Sequence, residues 1–132
     1  MEVGDEYVLV SAPNRTGECF VKILQNSNIP FVGITNNRNE QSRLKQLGVE
    51  NILFVDTGGL RTSIVPELPV GKVFLFEFSL PLCCRYVQIC RSWTGKPIYV
   101  ITESNNERYI YRELGANYII HTNSDDLSFL VK

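Results

Sequence analysis

The chain has 132 residues, 44% of them apolar and 20% charged, with a formal net charge of −1; that is enough for one domain, residues 1–132, with a sizeable core, and it excludes a disordered chain. The basic residues are scattered, which leaves no electrostatic footprint for nucleic acid or an anionic membrane, and no apolar run approaches the roughly 18 residues that insert across a bilayer. The leading Met1-Glu2-Val3-Gly4-Asp5-Glu6 is acidic, unlike a basic targeting leader, and Cys19, Cys83, Cys84 and Cys90 lie in apolar helical patterns without C-x-x-C spacing, so buried reduced thiols and a cytoplasmic location are expected.

Taken in order, Tyr7 to Val10 is an apolar strand that breaks into the polar turn Ser11-Ala12-Pro13-Asn14-Arg15-Thr16-Gly17 and restarts with helical spacing. Cys19, Phe20, Ile23 and Leu24 share one face of this first helix, which ends at Asn26-Ser27-Asn28. Phe31 to Ile34 is a wholly apolar strand of the kind covered on both faces in a parallel sheet. Asn36 to Asn39 supply N-cap candidates for a second helix, Glu40 sits in its first turn, and Gly48 is placed for a left-handed C-cap. Asn51 to Val55 is strand three. Between Leu60 and Val70, Pro66 and Pro69 restrict any helix to a turn or two around Thr62 to Val65.

Val73 to Phe78 is the most apolar strand and is expected at the centre of the sheet. Ser79 is the N-cap of a third helix that tolerates Pro81 in its first turn, carries Leu82, Cys83, Tyr86, Val87, Cys90 and Trp93 on one face, and stops at Gly95. Ile98 to Ile101 is strand five. Ser104 or Asn105 caps a fourth helix ending at Leu114-Gly115, Tyr118 to Ile120 is strand six, and Ser124-Asp125-Asp126 open a final turn carrying Leu127 and Leu130.

An internal repeat runs through this order. Pro30 to Leu53 lies over Pro97 to Ile120 without a gap, with eight of 24 positions identical, among them Ile34-Thr35 with Ile101-Thr102 and Leu47-Gly48 with Leu114-Gly115. Alternating strands and helices with a repeated half predict a three-layer α/β domain: a six-stranded parallel sheet in the Rossmann order 3-2-1-4-5-6, with a crevice between strands one and four.

In the fingerprint G-x-G-x-x-G, the first glycine makes the turn, the second admits a pyrophosphate and the third packs helix against strand. Those positions fall on Ala12, Asn14 and Gly17, so only the packing glycine is intact. Backbone N–H groups at Asn14, Arg15 and Thr16 are placed to face an anion at the helix N-terminus, and Asn14, which tolerates positive φ, keeps the turn. Asn36, 19 residues beyond Gly17, stands where an acid would bond the ribose hydroxyls. Arg38 and Arg43 nearby suit a 2′-phosphate, with solvated helix-surface residues as the plainer reading. Asp56 and Thr57, with Gly58-Gly59, stand where an adenine edge would be met, or are simply turn chemistry. His121, the single histidine, makes a metal cluster or a conventional triad hard to build and is read as structural, whereas Cys83-Cys84 near a helix N-terminus is a location that lowers thiol pKa.

Over nearly its whole length the chain resembles the TrkA-N family, the nucleotide-binding lobe of regulator-of-potassium-conductance domains. The resemblance rests on Arg15 and Gly17 in a G-x-G-R-x-G-type turn, Asn36 for an acid closing strand two, Val55-Asp56 after strand three, and Leu114-Gly115-Ala116-Asn117 leading into strand six. It implies a non-catalytic module sensing NAD(P)(H) or another adenine nucleotide, working as a homodimer attached to a channel or transporter. Val8 to Gly17 with Ile34-Thr35-Asn36-Asn37-Arg38 is also similar to NmrA-like atypical short-chain reductases. The Tyr-x-x-x-Lys pair usual in that superfamily does not occur here.

Three readings follow. The first is a small regulatory nucleotide-binding domain without catalysis, its site formed by Ala12, Asn14, Arg15, Thr16, Gly17, Asn36, Arg38, Asp56 and Thr57. The second is a structural or oligomerisation module that keeps the fold and binds no ligand, and the third an NADP-dependent reductase.

Overall fold

The computed structural model describes residues 6–57, 69–104, 109–122, 124 and 126–131. Six strands, β1 (Tyr7–Ser11), β2 (Phe31–Thr35), β3 (Ile52–Phe54), β4 (Val70–Phe76), β5 (Ile98–Thr102) and β6 (Tyr118–His121), form one sheet. Its order is β3-β2-β1-β4-β5-β6 and every pairing is parallel, as the sequence predicts. Helices α1 (Arg15–Asn26) and α2 (Arg38–Gln46) cover one face, and α3 (Leu80–Trp93) and α4 (Tyr109–Leu114) the other.

Because both faces are covered, the strands supply two cores by simple alternation. Val73 and Leu75 point to the layer of α3 and α4, where Cys83, Val87 and Tyr111 pack. Phe74 and Phe76 point to that of α1 and α2 and meet Phe20 at ring separations of 4.8 and 5.5 Å. On the same face the aromatic contacts continue across the sheet from Phe74 to Tyr99 at 4.7 Å and from Tyr99 to Tyr118 at 4.9 Å. Buried Thr16, Gly17, Phe20, Val21 and Leu24 form the inner stripe of α1. That stripe takes in Val21 and leaves Cys19 and Ile23 partly exposed, so the inner face is rotated from the Cys19-to-Leu24 stripe.

The repeat is physical. Gly33 pairs with Ile52 and Ile34 with Leu53, and the equivalent residues of the second half keep the same register, Val100 with Ile119 and Ile101 with Ile120. Both helices close in the same way: Gly48 has φ +88° and Gly115 φ +124°, while Val49 N–H donates to Leu44 and Ala116 N–H to Tyr111. Thr35 and Thr102 each accept, on the hydroxyl, the N–H two residues on.

Some boundaries move. Strand β4 starts at Val70, not Val73, because Tyr7 pairs with Val70 and donates its N–H to Pro69 O at 2.9 Å. It also stops at Phe76, which leaves Phe78 73% exposed. The N-caps Asn37 and Ser79 fall among the expected positions. The closing turn is a 3₁₀ helix, Ser128–Val131, beside buried Leu127 and Leu130. The short crossover helix around Thr62 to Val65, Gly58-Gly59, Asn105 and Asp125 lie outside the described residues.

Candidate functional site

The crevice outside the carboxyl ends of β1 and β4 is where an open α/β sheet receives a ligand. Its floor is the turn from β1 into α1. A Cβ on Gly17 would stand 2.8 Å from Ala12 Cα and 3.0 Å from Ala12 Cβ, so glycine is required for the helix to lie against the strand. Ala12 itself is buried.

Asn14 does something other than hold a left-handed turn. Its φ is −136°, an extended N-cap, with Oδ1 accepting the Gly17 N–H at 2.9 Å and Nδ2 donating to Glu77 O at 3.2 Å. The reason is capping: an asparagine side chain supplies the acceptor that the first turn lacks, and extended backbone aims it there. Glu18 N–H goes to Asn14 O. The N–H groups of Arg15 and Thr16 are then the ones that helix geometry directs out of the end.

At the carboxyl end of β2, Asn36 Nδ2 donates to Thr57 Oγ1 at 3.0 Å, and Asn36 Oδ1 accepts from Asn37 Nδ2 at 3.1 Å. Two expected site residues from different strand ends are thus brought together. Arg38 opens α2 and is exposed, and Asp56 is exposed at the end of β3. Arg43 is engaged elsewhere, in an ion pair with Glu18 that ties α2 to α1. Beside Thr57, a hollow of about 390 Å³ is lined by Ser79, Pro81, Leu82 and Arg85 at the start of α3. A second hollow, about 440 Å³ and lined by Tyr7, Pro30, Phe31 and Gly48, opens at the opposite, amino end of the strands.

Four residues of the crevice escaped the reading of the sequence. Glu77, just past β4, accepts the Thr102 hydroxyl on Oε1 at 2.7 Å and the Tyr111 hydroxyl on Oε2. The signal for it was present, since Glu77 is the one charged residue in the apolar run Val73 to Phe78. Thr102 and Tyr111 are almost wholly buried. The fourth, Glu103, follows β5 and accepts the Thr16 hydroxyl at 3.4 Å, which sets a carboxylate at the start of α1.

At the start of α3 the location that lowers a thiol pKa is outweighed by burial, which pushes the Cys83 thiol up to about 12, because desolvation penalises the thiolate more than the dipole favours it. Cys90 is raised by burial as well, and all four cysteines are free. His121 Nδ1 lies 2.9 Å from Ser104 O and links the ends of β6 and β5. Among the described residues no group of His, Cys, Asp and Glu is arranged to hold a metal ion, and no helix is long and apolar enough to cross a membrane.

The sequence matches no protein-family model, and no curated protein matches it significantly. Solved structures do match. The TrkA-N domain of the inner membrane protein ybaL from Escherichia coli superposes with a TM-score of 0.67 at 18% identity, covering 92% of this chain and 90% of that one. The NAD(P)-binding domain of an exopolyphosphatase-related protein from Archaeoglobus fulgidus gives 0.65 at 15% identity over 96% and 91% of the two chains. The GsuK channel bound to NAD gives 0.67 at 17% identity, with 91% of this chain spanning 22% of the channel chain. At these identities the likeness is one of fold: the chain has a Rossmann fold similar to that of TrkA-N domains.

Proposed function

We propose that this protein is a regulatory domain that binds an adenine nucleotide, NAD(P)(H) or a mononucleotide, in the crevice between β1 and β4, and performs no chemistry on it. The observation that carries the reading is the β1–α1 turn: Gly17 packs on Ala12 and holds the end of a twelve-residue helix at the switch point of the sheet, where backbone N–H groups and the helix dipole favour phosphate. Ala12, Asn14, Arg15, Thr16 and Gly17 form the anion turn. Asn36 and Arg38 lie at the ribose, with Asp56 and Thr57 at the base. Two structural neighbours, a channel bound to NAD and an NAD(P)-binding domain, support the ligand class.

One structural neighbour belongs to a channel and another to an inner membrane protein; the output of this domain is accordingly a channel or transporter, and its resemblance to the TrkA-N family implies a cytoplasmic homodimer. A second reading, a scaffold of the same fold that binds no ligand, is favoured by two contacts: Asn14 already caps Gly17 and Glu103 already sits at Thr16. Titration calorimetry and melting temperature with NAD, NADH, NADPH, ADP and AMP decide between them. Saturable binding is expected, with stabilisation rising as the logarithm of ligand concentration. Silence for every nucleotide leaves the scaffold. Trp93 fluorescence is a poor reporter, because Trp93 ends α3 at the far side of the molecule, where its neighbour Thr94 bonds the start of β4.

A further inference from the structure

We propose that Glu103 is the internal anion of this site: its carboxylate competes with ligand phosphate for the N-terminus of α1 and so grades affinity by ligand charge. The inference rests on the nucleotide-binding reading above. A carboxylate at a helix N-terminus is favoured by the dipole, the same interaction a phosphate seeks. Thr16, in the first turn and only 5% exposed, gives its hydroxyl to Glu103 Oε2 at 3.4 Å, across 87 residues of sequence.

The backbone that carries Glu103 is held on both sides. Thr102 donates to Glu77 and accepts the Ser104 N–H at 3.0 Å, and Ser104 O lies 2.9 Å from His121 Nδ1. The Glu103 side chain, by contrast, is exposed and its contact with the Thr16 hydroxyl is long. The result is a fixed mount with a displaceable charge. A ligand must push the carboxylate aside or accept its repulsion, and that repulsion grows with every negative charge the ligand brings.

The test compares wild-type protein with Glu103→Gln and Glu103→Asp against adenosine, AMP, ADP, ATP and NAD at two salt concentrations. Partly screened repulsion at a few ångströms is worth roughly a few-fold in affinity per ligand charge. Glu103→Gln is therefore expected to tighten ADP and ATP about 3- to 10-fold, AMP less and adenosine not at all, with the gains shrinking in high salt. Glu103→Asp keeps the charge and stays near wild type. Binding by Glu103→Gln where wild type is silent also supports the proposal. Wild-type binding with no gain in the Gln variant, or an equal gain for adenosine and ATP, overturns the role of Glu103 and leaves the nucleotide site standing. Silence of all three proteins toward every ligand overturns the site itself and this proposal with it.

Discussion

Tyr86 and Tyr111 are both buried, yet their hydroxyls have opposite circumstances. Tyr111 donates to the Glu77 carboxylate, whereas the Tyr86 hydroxyl has no hydrogen-bond partner among the described residues. Removing a partner from a buried acceptor costs about 1–3 kcal/mol, while removing an unpaired hydroxyl costs little. Chemical denaturation should therefore show Tyr111→Phe destabilised by that amount and Tyr86→Phe unchanged or stabilised. Glu40 supplies a pH dependence. Burial raises its carboxyl above the usual value of 4.5, with hydrogen bonds from Thr35 and Asn37 opposing, so the folded state holds its proton more tightly than the unfolded chain. Its contribution is then favourable at low pH and is lost as pH rises from 4.5 through the folded value. Glu40→Gln, which keeps a group suited to the N3 position of a helix capped by Asn37, should melt higher than wild type at pH 7, with the difference vanishing below pH 4.5.

At the scale of elements, the two halves of the repeat end their helices alike but load the closing glycines differently. A Cβ on Gly48 meets only Gln25 Nε2, at 3.5 Å, so Gly48→Ala carries the cost of a left-handed residue alone, about 1 kcal/mol. A Cβ on Gly115 would stand 2.6 Å from Arg91 Cδ. Arg91 is committed there, its guanidinium donating to Gly115 O, Asn117 Oδ1, Thr94 O and Lys96 O, and so it staples the end of α3 to the turn before β6. Gly115→Ala should lower stability more than Gly48→Ala, a difference that urea titration measures directly. Equal effects would mean that the staple yields without cost.

For the molecule as a whole, the arrangement of strand ends sets which nucleotide the proposed site would prefer. Asn36 presents a neutral amide tied to Thr57, and Arg38 stands two residues on, exposed at the start of α2. An acid at the position of Asn36 would repel a 2′-phosphate; an amide beside a guanidinium accepts one. NADPH is expected to bind at least as tightly as NADH in calorimetric titration, with the preference falling as salt is added and lost in Arg38→Ala. NADH preference untouched by that substitution would remove Arg38 from the ribose.

The fold was legible in the sequence because its determinants are local and repeated. Wholly apolar strands such as Val73 to Phe76, caps at Asn37 and Ser79, and glycines at 48 and 115 each act through neighbours a few residues away. Gly17 was legible for the same reason: its packing partner Ala12 lies five residues back. The chemistry of the crevice was not, because it depends on residues that only the sheet order brings together. Asn14 reaches Glu77 across 63 positions and Thr16 reaches Glu103 across 87, contacts with no period or spacing to announce them. So the sequence by itself determined the sheet, its order and the place of the turn, while tertiary structure decided that Asn14 caps the helix, that Glu77 is locked between two hydroxyls, and that the Glu103 carboxylate meets Thr16 at the start of α1.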